Sequence, residues 1–341
     1  MTDAVIECSN VWKIFGEKSK DAYKAVNDHG LSKKDILERY GCVVGVADVS
    51  FTVGRGEIFC IMGLSGSGKS TLVRHINRLV EPTAGVIRVA NQDVNALQGP
   101  QLRQLRSESV GMVFQNMALL PHRTVIDNVA LSLELRGMSR DERHQVALEK
   151  LKLVSLDGWG DRFPDELSGG MKQRVGLARA MAADPEILLM DEPFSALDPL
   201  IRRQLQEEFL DLSKVLKKTT VFITHDLDEA IRLGTHIAIM KDGRFVQVGT
   251  AEEIVTEPAD DYVADFVKGI SRLELVSAGK VMRPFTDAQS SSGLGPSVLA
   301  TDKLSKILQI AKEHDGVITV TNGEQPVGQI SRYDLLNAIG G

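Results

Sequence analysis

Cysteine is scarce in this sequence: Cys8, Cys42 and Cys60 are the three among 341 residues. An odd count at spacings that match no metal-ligand motif argues against a disulfide scaffold or a cysteine zinc site, and points to a reducing compartment. An excess of positive charge is also missing, with 40 Lys and Arg against 46 Asp and Glu and a formal net charge of -6. That balance argues against a surface that coats nucleic acid. No uninterrupted apolar run approaches the ~18 residues that suggest a membrane span. The first ten residues lack a basic segment followed by an apolar stretch, so the chain is expected neither to be exported by such a signal nor to span a membrane by itself. What is present is ordinary for a packed protein, 43% hydrophobic and 25% charged residues. The length suits one large domain and a smaller one.

Residues 1–15 read as a short strand carrying Val5, Ile6 and Val11. Segment 16–41 is heavily charged, and Ser32 ahead of Asp35, Ile36 and Leu37 can cap a short helix there, so it reads as a surface insertion. Val49, Phe51 and Val53 then alternate, and Ile58-Phe59-Cys60-Ile61-Met62 is an apolar run suited to a buried strand. Ile187-Leu188-Leu189-Met190 and Thr220-Val221-Phe222-Ile223 are two more. Helical patterns lie at 69–79, 140–153, 171–183 and 200–216. Buried strands alternating with helices indicate an α/β domain around a largely parallel sheet. Residues 286–296, rich in Ser and Gly, read as a linker. Beyond it a helix at 303–313, strands at 316–321 and 327–330 about Asn322-Gly323, and a helix at 333–339 make a small α/β unit.

Gly63-Leu64-Ser65-Gly66-Ser67-Gly68-Lys69-Ser70-Thr71 fits the G-x-x-x-x-G-K-[ST] phosphate loop and sits between a buried strand and a helix. Gly63, Gly66 and Gly68 let the backbone wrap closely around phosphates. Successive N–H groups and the helix N-terminus then face the anion, with Ser65 and Thr71 in the same cradle. Lys69 is expected to bridge the β and γ phosphates, and the Ser70 hydroxyl to ligate Mg²⁺. Asp191, at the end of the apolar run 187–190, suits the second Mg²⁺-handling position. Glu192 follows it, placed to orient or deprotonate an attacking water.

Leu167-Ser168-Gly169-Gly170-Met171-Lys172-Gln173 resembles the signature motif of ATP-binding cassette proteins. The order of phosphate loop, Gln115, signature, Asp191-Glu192, Ser195-Ala196-Leu197-Asp198 and His225 matches that family as well, over roughly residues 1–270. The resemblance implies a P-loop NTPase cassette with a helical signature subdomain, which binds Mg-ATP and hydrolyses it. Two cassettes are then expected to associate head to tail, Ser168, Gly169 and Gly170 of one covering the γ phosphate held by Lys69 of the other. Gln115 resembles the residue that senses Mg²⁺ and attacking water, and His225 the switch histidine at the γ phosphate. Ser195 and Asp198 resemble the loop that communicates between the two ATP sites. Phe15 resembles the aromatic that stacks on adenine, with Tyr23 and Tyr40 as competitors.

A narrower resemblance lies in the charged segment before Gly45, in Glu57 through Lys69, and in Arg74-His75-Ile76-Asn77-Arg78-Leu79. These are similar to the ATPase subunits of osmoprotectant importers, which take up glycine betaine, carnitine, choline or proline. That resemblance implies an integral membrane permease and an extracytoplasmic solute-binding protein as partners, no nucleic acid, and a peripheral place on the cytoplasmic face of the inner membrane. An importer of another small polar solute, such as an amino acid, and a soluble ATPase acting on nucleic acid or ribosomes are the alternative readings. Residues 279–284 and 316–336 resemble the opening and end of one cystathionine-β-synthase (CBS) type module. The division expected is therefore a cassette at 1–270 with an insertion at 16–41, then a single, partly degenerate CBS-like module at 278–341, which is a sensor, a dimer contact or a degenerate remnant.

Overall fold

In the computed structural model residues 3–195, 197–285 and 295–340 are described, and they divide into two units, Met1–Val248 and Gly249–Gly341. The strands of the first are β1 (Ala4–Phe15), β2 (Val43–Gly54), β3 (Ile58–Met62), β4 (Ala84–Val89), β5 (Gln92–Asp93), β6 (Val110–Val113), β7 (Ile187–Asp191), β8 (Thr219–Thr224), β9 (His236–Lys241) and β10 (Arg244–Gly249). They form a sheet of order β2-β1-β4-β5 and a sheet of order β10-β9-β3-β8-β7-β6. In the second sheet β3 pairs in parallel with β8 and β9, and β7 in parallel with β6 and β8. Every residue of β3 and of β7 is buried, which is why both read as unbroken apolar runs instead of alternating ones.

The antiparallel pairings of β1 with β2 and β4 cover one side of the core. Ile6 and Val89 from that sheet, Ile61, Leu189 and Ile223 from the parallel one, and Leu72, Val73 and Ile76 from the helix Lys69–Ile76 share a single buried cluster. The helix expected at 69–79 stops at Ile76. There Arg78 takes a left-handed φ of 51°, and its N–H turns back to His75 O at 2.9 Å.

The charged insertion folds as two helices, Ser19–His29 and Lys33–Tyr40. Ser32 caps the second: its Oγ accepts from Asp35 N (3.2 Å) while Asp35 Oδ2 accepts from Ser32 N (3.0 Å), a reciprocal box that satisfies two free N–H groups. Ala22, Ala25 and Ile36 anchor the pair against Trp12, Ile14 and Val44, and the charges stay outside.

The second unit contains β11 (Arg283–Pro284), β12 (Ser297–Leu299), β13 (Ile318–Asn322) and β14 (Gln325–Ile330) in the order β11-β14-β13-β12, with β12 and β13 parallel. Leu304, Ile307 and Ala311 of the helix Leu304–Glu313 pack on Val298, Ile318, Val320 and Ile330. The expected linker lies, but for Gly295 and Pro296, outside the described residues. The two compact units part at 248/249. The helix Ala251–Thr256 is tied into the second unit by Ser277, whose N and Oγ both donate to Glu252 Oε1 at 2.7 Å.

Candidate functional site

The carboxyl end of β3 delivers the chain into the turn at 63–68. A Cβ built on Gly63 would lie 2.1 Å from Met240 O, and one on Gly68 2.3 Å from Gly45 O. Their φ values, +149° and +106°, are unfavourable for any other residue. The loop therefore needs glycine twice over, for conformation and for space. Leu64, Ser65 and Gly66 form its exposed tip, whereas Ser67 and Lys69 are buried. Lys69 Nζ folds back into the turn and donates to Gly63 O (2.8 Å) and Leu64 O (3.0 Å). Burial pushes its pKa down, and Glu192 and Asp191 partly offset this. A cation held only by neutral carbonyls inside a ring of backbone is poised to take an anion.

Asp191, the last residue of β7, has no solvent exposure. Its Oδ1 accepts from Ser70 Oγ at 2.7 Å and its Oδ2 from Arg74 Nη2 at 3.0 Å. Ser70 and Arg74 are four apart, so the helix Lys69–Ile76 presents both to one carboxylate. Oxygen donors from a hydroxyl and a buried carboxylate suit a hard divalent cation, and this carboxylate already draws a cationic side chain. The Ser70–Asp191 pair thus fits Mg²⁺, and the glycine turn above it fits phosphate.

Glu192 takes a left-handed φ of 48°, a conformation that costs about 1 kcal/mol or more outside glycine. It is held by its N–H on Ile223 O (3.2 Å) and by Ser195 Oγ on its own carbonyl (3.1 Å). The strained turn brings one carboxylate oxygen to two partners: Gln115 Nε2 donates to Glu192 Oε2 at 3.3 Å, and His225 Nδ1 lies 3.2 Å from the same atom. Gln115 follows β6 and His225 follows β8, so three strand ends of the parallel sheet meet at one oxygen. Lys69, Ser70, Asp191, Glu192, Gln115 and His225 are in this way gathered along one edge, where open α/β sheets bind ligands.

The other residues singled out in the sequence occupy separate places. Ser168 caps the helix Gly169–Ala182 by accepting from Met171 N (3.3 Å). A Cβ on Gly170 would meet Ile201 Cγ2 at 3.0 Å, and one on Gly169 Leu197 Cδ2 at 3.8 Å. Asp198 caps the helix Pro199–Leu216 through Ile201 N (3.1 Å). Among the described residues no hydrogen bond joins the signature to the phosphate loop of the same chain. Ala196 lies outside the described residues. Phe15 ends β1 with its ring over Gly45, a Cβ there lying 2.8 Å from Phe15 Cε2, and Gly45 O abuts Gly68. The Phe15 ring is exposed. Tyr23 instead stands edge-on to Trp12, and Tyr40 packs in the insertion cluster. Arg74 belongs to no phosphate-binding motif, although its i+4 spacing from Ser70 is a usable signal.

A family model described as ABC transporter matches residues 46–195. The glycine betaine transport ATP-binding protein OpuAA of Bacillus subtilis (strain 168) is 47% identical, covering 97% of this chain and 80% of its own length. The trimethylamine N-oxide transport system ATP-binding protein TmoW of Ruegeria pomeroyi is 47% identical over 99% of this chain and 98% of its own. A solved dimeric structure of the ATP-binding cassette MJ0796, in a post-hydrolysis state bound to ADP and Pi, is 32% identical with a TM-score of 0.61, covering 72% of this chain and 98% of that one. The chain belongs to the ABC transporter family, as one of its ATP-binding proteins.

Proposed function

We propose that this chain hydrolyses ATP to drive import of a small methylated-amine osmoprotectant of the glycine betaine class through a membrane permease. The observation that carries the ATPase part is the meeting of Gln115, Glu192 and His225 at one carboxylate oxygen, beside Lys69 and the Ser70–Asp191 pair. The solute class rests on the relatives, whose names specify glycine betaine and trimethylamine N-oxide transport.

Ser70 and Asp191 would hold Mg²⁺, which would supply positive charge to the phosphate oxygens. Lys69 exchanges its two carbonyl partners for phosphate oxygens, and the loop N–H groups of 63–68 complete the cradle. Glu192 accepts the proton of the attacking water. Gln115 and His225 fix its carboxylate, and His225 also reaches the γ phosphate. Phe15 stacks on adenine. Ser168, Gly169 and Gly170, which make no bond to their own chain's loop, close instead over the phosphates of a second copy. Ser195 and Asp198 lie at that interface. Each copy is incomplete until the other arrives, so ATP joins the two and its hydrolysis releases them.

The permease is assigned to a cleft of about 380 Å³ lined by Leu79, Phe114, Ala118, Leu131 and Leu135. Leu79 is 47% and Leu135 78% exposed, an apolar surface that a partner is needed to cover. Among the described residues no helix is long and apolar enough to cross a membrane. The importer reading, which rests on the relatives, makes the chain a peripheral subunit on the cytoplasmic face, served outside by a solute-binding protein. We assign 1–270 to the cassette and 278–341 to a single CBS-like module that regulates it or contacts a second copy. The test is ATP-dependent uptake by vesicles containing the co-purified complex. Betaine uptake that disappears in Lys69→Ala supports the reading, and the absence of a co-purifying permease contradicts it.

A further inference from the structure

The backbone immediately after Gln115 is strained in a way the site chemistry does not require. Met117 and Ala118 are consecutive non-glycine residues with left-handed φ, 55° and 46°. Two tight turns close around them, Met117 N donating to Phe114 O (2.9 Å) and Ala118 N to Asn116 O (2.5 Å). L-residues adopt this region at a cost. A pair of them persists only where the surroundings hold it. The holder is Arg179, whose Nη1 donates to Ala118 O (2.7 Å) and whose Nη2 donates to Met117 O. One planar guanidinium thus takes both carbonyls.

Arg179 belongs to the helix Gly169–Ala182, which begins at the signature. It lies ten positions along the helix from Gly169, roughly 15 Å of stiff rod. Its side chain also lines the cleft assigned to the permease, together with Phe114 and Ala118. One residue therefore touches three things: the helix whose N-terminus closes on a second copy, the turn that follows Gln115, and the wall of the cleft.

We propose that Arg179 is a positioning residue that clamps the Met117-Ala118 turn and so couples the signature helix to the placement of Gln115 against Glu192. Release of the clamp lets the turn relax to right-handed or extended backbone, and Gln115 leaves the carboxylate oxygen it shares with His225. The proposal rests on the ATPase reading above.

The test uses the purified full chain, with ATP affinity from a fluorescent ATP analogue and kcat from phosphate release. Arg179→Met is expected to bind the analogue as the wild type does and to lose about 10²-fold in kcat, the scale of a misplaced catalytic group. Adding Met117→Gly and Ala118→Gly to that variant lets the turn form without a clamp. It should recover about tenfold, because glycine takes left-handed φ without the Cβ clash that the L-residues carry. A purely structural role for Arg179 gives no such rescue. Wild-type kcat in Arg179→Met, or a loss the glycine pair does not relieve, overturns the proposal. Should Arg179→Met not fold, the glycine pair with Arg179 intact decides: melting at or above the wild type supports a strained turn, and melting below it does not. A wild-type chain that fails to bind the analogue refutes the ATPase reading, and the clamp with it, whereas wild-type turnover beside an unaffected Arg179→Met refutes the clamp alone.

Discussion

Replacing Arg74 with Met takes away the guanidinium that lies 3.0 Å from Asp191 Oδ2, and the carboxylate it leaves has no solvent exposure. Methionine retains the apolar stem, so the loss is chiefly of charge. Breaking a fully buried ion pair by deleting one partner costs about 3–5 kcal/mol. Arg74 is 42% exposed, so water screens part of the attraction, and Ser70 still donates to Oδ1; the expected cost is about 1–2 kcal/mol. For a unit of this size that corresponds to a melting temperature lower by roughly 2–8 °C. The same measurement with Mg-ATP present should give a smaller gap, because the metal restores positive charge beside the carboxylate and the variant gains more from binding than the wild type. Thermal melts of both proteins in EDTA and in saturating Mg-ATP provide the comparison. Equal melting in EDTA would show that Asp191 does not depend on Arg74. An undiminished gap in Mg-ATP would show that the metal does not take over the role of the guanidinium.

Glu192→Gln should keep nucleotide affinity while phosphate release slows by about 10²–10⁴-fold, measured by equilibrium binding beside single-turnover hydrolysis. Gly68→Ala puts a Cβ 2.3 Å from Gly45 O at a φ of +106°; loss of nucleotide binding or of folding is expected, and an ATP affinity equal to the wild type would contradict the tight turn. His75 is fully buried with Nδ1–H on Val80 O (2.6 Å), and burial pushes its pKa from 6.5 down to about 4. The unfolded chain therefore takes up a proton that the fold refuses, so this contribution is complete above pH 6.5 and is lost as pH falls toward 4. Denaturant titrations should show stability falling by about 2 kcal/mol between pH 7.5 and 5, with a smaller fall in His75→Asn.

The readable parts of this molecule are those whose cause is local. The run Ile58–Met62 followed by the glycine turn and Lys69 contains strand, loop and helix within twenty residues, and Ser32 and Asp35 cap each other across three. Asp191-Glu192 was visible because an apolar strand points at it. What stayed hidden depends on distant partners. Arg74 meets Asp191 across 117 positions, and Arg179 meets Met117 across 62. The strain at Glu192, Met117 and Ala118 leaves no mark in residue type, since none of the three is glycine or asparagine. Strands β11 and β12 have two and three residues, of which only Val298 is buried, too few for any periodicity. The segment following Val248 continues without a glycine or proline run, so only its contacts, such as Ser277 on Glu252, place it with the second unit.

The central claim is that a nucleotide held by one copy is completed by the signature of another. Sedimentation of the purified Glu192→Gln chain measures this directly. With Mg-ATP the account predicts a shift from monomer to dimer that ADP does not produce and that Lys69→Ala or Ser168→Arg abolishes. A chain that binds Mg-ATP yet sediments as the same species with and without it would contradict the account.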